Sequence, residues 1–209
     1  MISGPYFINL DHRTDRLAFI ESEFARLSIK GAIRVPAILE SKGAIGCLKS
    51  HILALEQDLS SDRCIWICED DIQFKISRED LDLYIRDFMN SSADILCLGF
   101  ASRHDIEYSD NLRQSFDLQT ASCYLVKSQF KSVLHDFWKA NLHYYETNAK
   151  NPYKDYFDDL SVHKGEYICT DMSWKVLQQS YIFVIPKVRC VIQRPGFSDI
   201  EKNYVDYSC

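Results

Sequence analysis

The chain has 209 residues, 46% of them hydrophobic and 26% charged, with a formal net charge of -6 and a pI near 5.5. These proportions fit a folded soluble domain and argue against a disordered or fibrous chain, and the length suits one sizeable core. A net negative surface repels polyphosphate backbones, which argues against a nucleic-acid partner and leaves any bound phosphate to local basic groups or a metal.

No apolar run approaches the length of a membrane span, and the opening "MISGPYFINLD" lacks the basic start and apolar middle of a secretory signal. A cytoplasmic protein without a membrane span is expected. The eight cysteines, at positions 47, 64, 68, 97, 123, 169, 190 and 209, form no CxxC or Cys/His cluster in the sequence. Most sit in apolar runs, so buried free thiols are expected in preference to zinc sites or disulfides.

In chain order, "PYFINL" reads as a strand. Leu17, Ile20, Phe24 and Leu27 then recur at helical spacing, with Thr14 as the expected N-cap. "AIRVPAI" reads as a second strand, followed by a helix from about Gly43 whose face carries Ile45, Leu48, Ile52, Leu55 and Leu59. "CIWIC" is the third strand, and Leu81, Ile85 and Phe88 mark the next helix. "DILCLGF" and "ASCYLV" read as further strands separated by a polar loop, and a helix is expected from about Ser128 to Ala140. The segment 143–167 is too long and too aromatic for a simple connector and is expected to be a functional loop. A short helix "DMSWKVLQQ", a strand "YIFVIP" and the tail "QRPGFSDIEKNYVDY" complete the chain.

This β–α alternation predicts one α/β domain with a mainly parallel central sheet flanked by helices. In such sheets ligands bind beyond the carboxyl ends of the strands. The third strand ends there in Glu69, Asp70 and Asp71. Three adjacent carboxylates repel one another and lose hydration on burial, so they call for a cation or several donors. Hard oxygen ligands suit Mg²⁺ or Mn²⁺. A helix cap is the weaker reading, because "IQF" continues in an alternating rather than helical pattern.

Laid together in order, "YFINLDHRTDRL", "GAIGCLKSHILAL", "CEDDIQF" and "FSDIE" resemble glycosyltransferase family 25, which includes lipooligosaccharide and procollagen galactosyltransferases. The resemblance covers most of the chain, although the aromatic loop has no counterpart and Cys68 replaces the family's usual apolar residue before EDD. It implies a GT-A-like, Rossmann-like fold, with a nucleotide-binding part over about 1–100 and an acceptor-side part over about 101–209. The implied reaction is transfer, with inversion, of galactose or glucose from a UDP-sugar donor to a hydroxyl of a carbohydrate or glycoconjugate acceptor, aided by Mn²⁺ or Mg²⁺.

Under this resemblance Glu69 and Asp71, on one side of a strand that remains extended, would face the metal together with Asp199, while Asp70 would turn toward the ribose. Asn9, Asp11, Arg13 and Arg16 lie in the first strand-to-helix loop, a usual position for nucleotide contacts. No GxGxxG is present, which disfavours a dinucleotide cofactor. Ser50 and His51, one turn or so into a helix that opens on Gly43 and Gly46, would approach the sugar or phosphate. Gln193 and Ser198 would flank the pyrophosphate. Asp171 is the expected general base; a first-turn acid of a helix capped by Thr170, stabilised by the helix dipole and without a catalytic role, accounts for it equally well.

Tyr144, Tyr145, Tyr153, Tyr156 and Phe157 offer stacking faces for an acceptor sugar, with Asp155, Asp158 and Asp159 for its hydroxyls; packing of a surface lobe accounts for them equally well. Two other function classes share the acidic cluster. One is a catalytically silent nucleotide-sugar or carbohydrate binder; the other is a metal-dependent nucleotidyltransferase or phosphohydrolase.

Overall fold

The computed structural model describes residues 1–147 and 168–206. The first half of the chain folds as β1 (Ile2–Asn9), α1 (Thr14–Arg26), β2 (Ile33–Pro36), α2 (Gly43–Glu56), β3 (Cys64–Glu69), β4 (Ile72–Phe74), α3 (Arg78–Asn90) and β5 (Ile95–Cys97). Four short strands follow, β6 (Ala101–Ser102), β7 (Asp105–Glu107), β8 (Leu112–Ser115) and β9 (Leu118–Gln119). Next come β10 (Cys123–Val126), α4 (Ser128–Thr147), α5 (Thr170–Ser173) and a 3₁₀ turn over Trp174–Gln179. The chain closes through β11 (Phe183–Pro186), β12 (Val191–Gln193), β13 (Gly196–Ser198) and β14 (Asn203–Val205).

An eight-stranded sheet in the order β2-β1-β3-β10-β5-β11-β8-β7 forms the centre. Six of its strands run in one direction, as the β–α alternation predicts, while β10 and β8 run against their neighbours. The reversal of β10 has a local cause. The polar stretch between β5 and β10 folds into short strands rather than a crossover helix, so the chain returns alongside β5 antiparallel. Because β10 sits between β3 and β5, residues from both halves of the chain share the sheet.

The strand CIWIC is buried from end to end because helices cover both faces of the sheet. Ile65 and Ile67 join a core with Leu48, Leu55, Trp138 and Trp174, from the α2/α4 side. Cys64, Trp66 and Cys68 join another with Ile20, Phe24, Leu81 and Phe88, from the α1/α3 side. The described cysteines are all free thiols, buried except for half-buried Cys47 and Cys169; Cys209 lies outside the described residues. Among the described residues, no helix is long and apolar enough to cross a membrane.

Several local expectations are corrected. Arg13, not Thr14, precedes the first turn of α1, and Cys169, not Thr170, that of α5; neither forms a side-chain cap. Helix α4 runs past Ala140 to Thr147, so Tyr144 and Tyr145 are helical. The remaining aromatic and acidic candidates, Tyr153, Asp155, Tyr156, Phe157, Asp158 and Asp159, lie outside the described residues.

The two glycines of GAIG have separate jobs. A Cβ on Gly43 would stand 2.6 Å from the Ile200 Cα, and one on Gly46 would stand 2.4 Å from the Ile38 carbonyl oxygen. Gly43 thus lets the C-terminal turn rest on the start of α2, and Gly46 lets the segment after β2 cross it. Gly46→Ala is expected to lower stability by about 1–3 kcal/mol, because the blocking atom is backbone and cannot rotate away. Thermal melting measures this directly, and an unchanged transition would show that the 37–40 segment yields freely.

Candidate functional site

Beyond the carboxyl ends of β1 and β3, the loops part around two neighbouring cavities. The smaller, of about 120 Å³, is lined by Arg16, Ser50, His51, Glu69, Asp70, Asp71, Gln193, Arg194, Ser198 and Asp199, with apolar walls from Ile8, Ile38 and Leu39. The larger, of about 340 Å³, is lined by Gln119, Thr120, Cys169, Thr170, Asp171 and Glu201. Cys47, Glu69, Gln193 and Ile200 border both.

The acidic triplet is not extended. β3 stops at Glu69, and Asp70 and Asp71 form a turn before β4, which pairs with β12 instead of continuing in the main sheet. The expected alternation of Glu69 and Asp71 against Asp70 is therefore replaced by another arrangement. Asp70 and Asp71 both accept hydrogen bonds from Arg16 Nη1, at 2.9 and 3.0 Å. Glu69 turns toward α2 and β12, where Oε1 lies 3.3 Å from His51 Nε2 and Oε2 accepts from Gln193 Nε2 at 3.1 Å.

Charge is concentrated at this point. Burial pushes the Asp71 carboxyl up to about 7, and the neighbouring Glu69 adds to the rise, while Arg16 opposes it. Asp71 Oδ1 is buried and has no hydrogen-bond partner among the described residues, although Gln193 acts on the same carboxyl group and opposes the rise. Burial also raises Asp70, against the pull of Arg16 and Asn9. For Arg16, burial works against the charge, but the two carboxylates more than offset it and raise its pKa. A buried carboxylate oxygen without a donor, beside two further acids, is a donor set that fits a hard cation.

The other residues singled out in the sequence divide into those that face the cavities and those that brace them. Asn9 is buried behind Asp70, to which its Nδ2 donates at 2.7 Å, and its Oδ1 accepts from Arg34 Nε at 2.8 Å. Asp11 is exposed and pairs with Arg34 at 2.6 Å. Arg13 bonds Asp15 through Nε and Nη2, and Asp199 through Nη1 at 2.6 Å. None of these three lines either cavity. They hold the walls in place: Asn9 orients Asp70, and Arg13 ties the C-terminal turn to the start of α1.

Asp199 does face the smaller cavity, with one oxygen on Arg13 and the other 3.4 Å from His12 Nε2. Burial would raise its pKa, but the bonds from Arg13 and His12 win and lower it. Ser50 Oγ is occupied by the Gly46 carbonyl at 2.6 Å and the Ile38 amide at 2.8 Å, a clasp between α2 and the segment after β2. Ser198 Oγ accepts from the amides of Ile200 and Glu201 and so shapes the turn over α2. Asp171, at the larger cavity, accepts from the Thr120 amide at 3.0 Å and the Met172 amide at 2.9 Å.

Sequence reasoning missed several groups. Arg194 lines the smaller cavity with its guanidinium 3.7 Å above the Phe19 ring centre, and Arg34 braces Asn9. Cys47 escaped notice although it lies four residues before His51, a separation that puts both on one helical face.

No protein-family model matches the chain, and no curated protein matches it in sequence. Among solved structures, A197 from STIV aligns over 96% of this chain and 91% of its own, at 12% identity and a TM-score of 0.47. Mannose-1-phosphate geranyltransferase from Thermus thermophilus aligns over 90% and 58%, at 8% identity and 0.45. Mouse xyloside xylosyltransferase 1 aligns over 87% and 71%, at 9% and 0.39. Likenesses this distant assign neither a family nor an activity.

Proposed function

We propose that this protein is an inverting glycosyltransferase of the family 25 kind, transferring galactose or glucose from a UDP-sugar to a hydroxyl of a carbohydrate or glycoconjugate. The observation that carries the reading is convergence. Four segments far apart in sequence, around Arg16, Gly43–His51, Glu69–Asp71 and Ser198–Asp199, meet at one cleft, and they are the segments in which the family resemblance resides. The free thiols among the described residues fit the reducing conditions of a cytoplasmic enzyme.

The donor belongs in the smaller cavity under this reading, with Arg16 and Arg194 as its cationic groups and the apolar wall of Ile8 and Ile38 beside the base. Glu69 and Asp71 would hold Mn²⁺ or Mg²⁺, with Asp199 as a further acid lining the same cavity, and such an ion offsets the negative charge that grows on a diphosphate leaving group. Asn9 keeps Asp70 in place against Arg16, so the acid nearest the first loop stays oriented without itself being exposed. The acceptor belongs in the larger cavity, where Asp171 is the candidate base and Glu69 and Gln193 form the border with the donor.

Calorimetric titration with UDP, with and without Mn²⁺, followed by product analysis after incubation with several UDP-sugars, tests the reading. Cation-dependent UDP binding with transfer supports it; tight binding without turnover would mark a silent binder, and release of a nucleoside monophosphate would mark a phosphohydrolase. Asp171→Asn is expected to leave the UDP affinity unchanged and to lower kcat by about 10²–10⁴, the usual contribution of a general base. An unchanged kcat removes Asp171 from the chemistry.

A further inference from the structure

The geometry points to a second cation site, in the wall between the two cavities, formed by Cys47 Sγ, His51 Nε2 and Glu69 Oε1 and suited to a borderline-soft divalent metal such as Zn²⁺. It goes beyond the transferase reading, which uses only oxygen ligands.

The three donor atoms lie within 4.8 Å of one another. Glu69 Oε1 is 3.9 Å from Cys47 Sγ and 3.3 Å from His51 Nε2. Around a tetrahedral zinc, with bonds of about 2.0–2.1 Å to nitrogen, 2.0–2.2 Å to oxygen and 2.3 Å to sulfur, neighbouring ligand atoms stand roughly 3.3–3.7 Å apart. The two separations to Glu69 are therefore within a few tenths of an ångström of that shape, and the third, between Cys47 Sγ and His51 Nε2, is at most 4.8 Å, a gap that a small side-chain adjustment closes. It is assembled by two rigid elements: α2 places Cys47 and His51 on one face, and the end of β3 brings Glu69 to meet them.

The surroundings orient each ligand. His51 is fully buried, stacked on Tyr124 at 5.8 Å and edge-on to Trp138 at 6.0 Å, so its ring has no room to swing. Its Nδ1 lies 2.8 Å from the Tyr124 hydroxyl. With Nδ1–H donating to that oxygen, the lone pair of Nε2 is directed at the Cys47 and Glu69 atoms, the usual arrangement of a metal-bound imidazole. The second oxygen of Glu69 is held by Gln193, which turns the first toward the site.

Sulfur, nitrogen and one oxygen select zinc-like ions over Mg²⁺ or Ca²⁺. Three protein ligands also leave a fourth position, and Cys47 and Glu69 border both cavities, so that position is open to water or to a bound hydroxyl. Without a metal, the same atoms form a weak thiol–carboxylate–imidazole network. Spectroscopy distinguishes the two.

The test is titration of the metal-free, full-length protein with Co²⁺, reading the thiolate-to-cobalt charge-transfer absorption. One equivalent is expected to produce this band, excess Zn²⁺ to abolish it, and Cys47→Ser to prevent it. Tyr124→Phe is expected to weaken binding about 10–100-fold through loss of the imidazole's orienting partner. Asp71→Asn, which disables the oxygen site, should leave the band in place. A band that persists in Cys47→Ser, or no band at all, overturns the site. X-ray absorption on the zinc-loaded wild type covers the case of a misfolded variant: one sulfur in the coordination shell supports the assignment, and a shell of nitrogen and oxygen alone refutes it. Glu69 is common to both sets, so the UDP titration with Mn²⁺ is repeated in Cys47→Ser, where the second site is removed: the cobalt band reports on the second site, and Mn²⁺-dependent UDP binding in that variant reports on the transferase reading.

Discussion

Asp71→Asn is expected to make the cation-free protein more stable at about pH 8 while abolishing cation-dependent UDP binding. In the unfolded chain this carboxyl ionises near 3.8, and in the folded cleft near 7, because burial and the adjacent Glu69 disfavour its charge. Between those values the folded state retains a proton that the unfolded state has lost, so stability falls as pH rises through the window and the full penalty is present above about 7. The penalty is on the order of a few kcal/mol. The amide removes it and can still accept from Arg16 through its oxygen. The difference in melting temperature between variant and wild type should be near zero below about pH 4 and reach several degrees above about pH 7. A variant that is less stable at high pH, or one that keeps Mn²⁺-dependent UDP binding, would show that Asp71 supports the fold and not a ligand.

The complementary change is Arg16→Met. It removes the guanidinium that bonds Asp70 and Asp71, together with its bond to the Phe197 carbonyl at 3.0 Å, and leaves two buried carboxylates without their counter-charge. Stripping one partner from a buried ion pair costs about 3–5 kcal/mol, which for a domain of this size lowers the melting temperature by roughly 10 °C. Adding Asp71→Asn in that background should recover part of the loss, since one of the stranded charges is then gone. A double-mutant cycle by thermal melting measures the coupling. A drop of less than about 2 °C for Arg16→Met would mean that solvent or another cation already satisfies the acids.

These two variants together separate opposing roles of one residue pair. Arg16 makes the acidic cluster tolerable in the free protein, whereas Asp71 keeps a buried oxygen that is without a hydrogen-bond partner among the described residues and is suited to a cation. Such a balance places the fold under local electrostatic strain at the position where the candidate site lies, and removing the acid relieves the strain together with the proposed function.

By itself the sequence determined the alternation of strands and helices, the start of α2 at Gly43, and the arrival of Glu69, Asp70 and Asp71 at the mouth of a buried strand. Those features are written in local periodicity, which needs no knowledge of distant partners. Only the tertiary structure decided that the triplet turns instead of continuing, that Asn9 faces Asp70 across 61 positions, and that Arg13 reaches Asp199 across 186. The same holds for the meeting of Cys47 and His51 with Glu69, and for β10 lying antiparallel between β3 and β5. The reason is physical: a side chain's role in a cleft depends on which groups compensate its charge, and those groups are supplied by packing between remote segments.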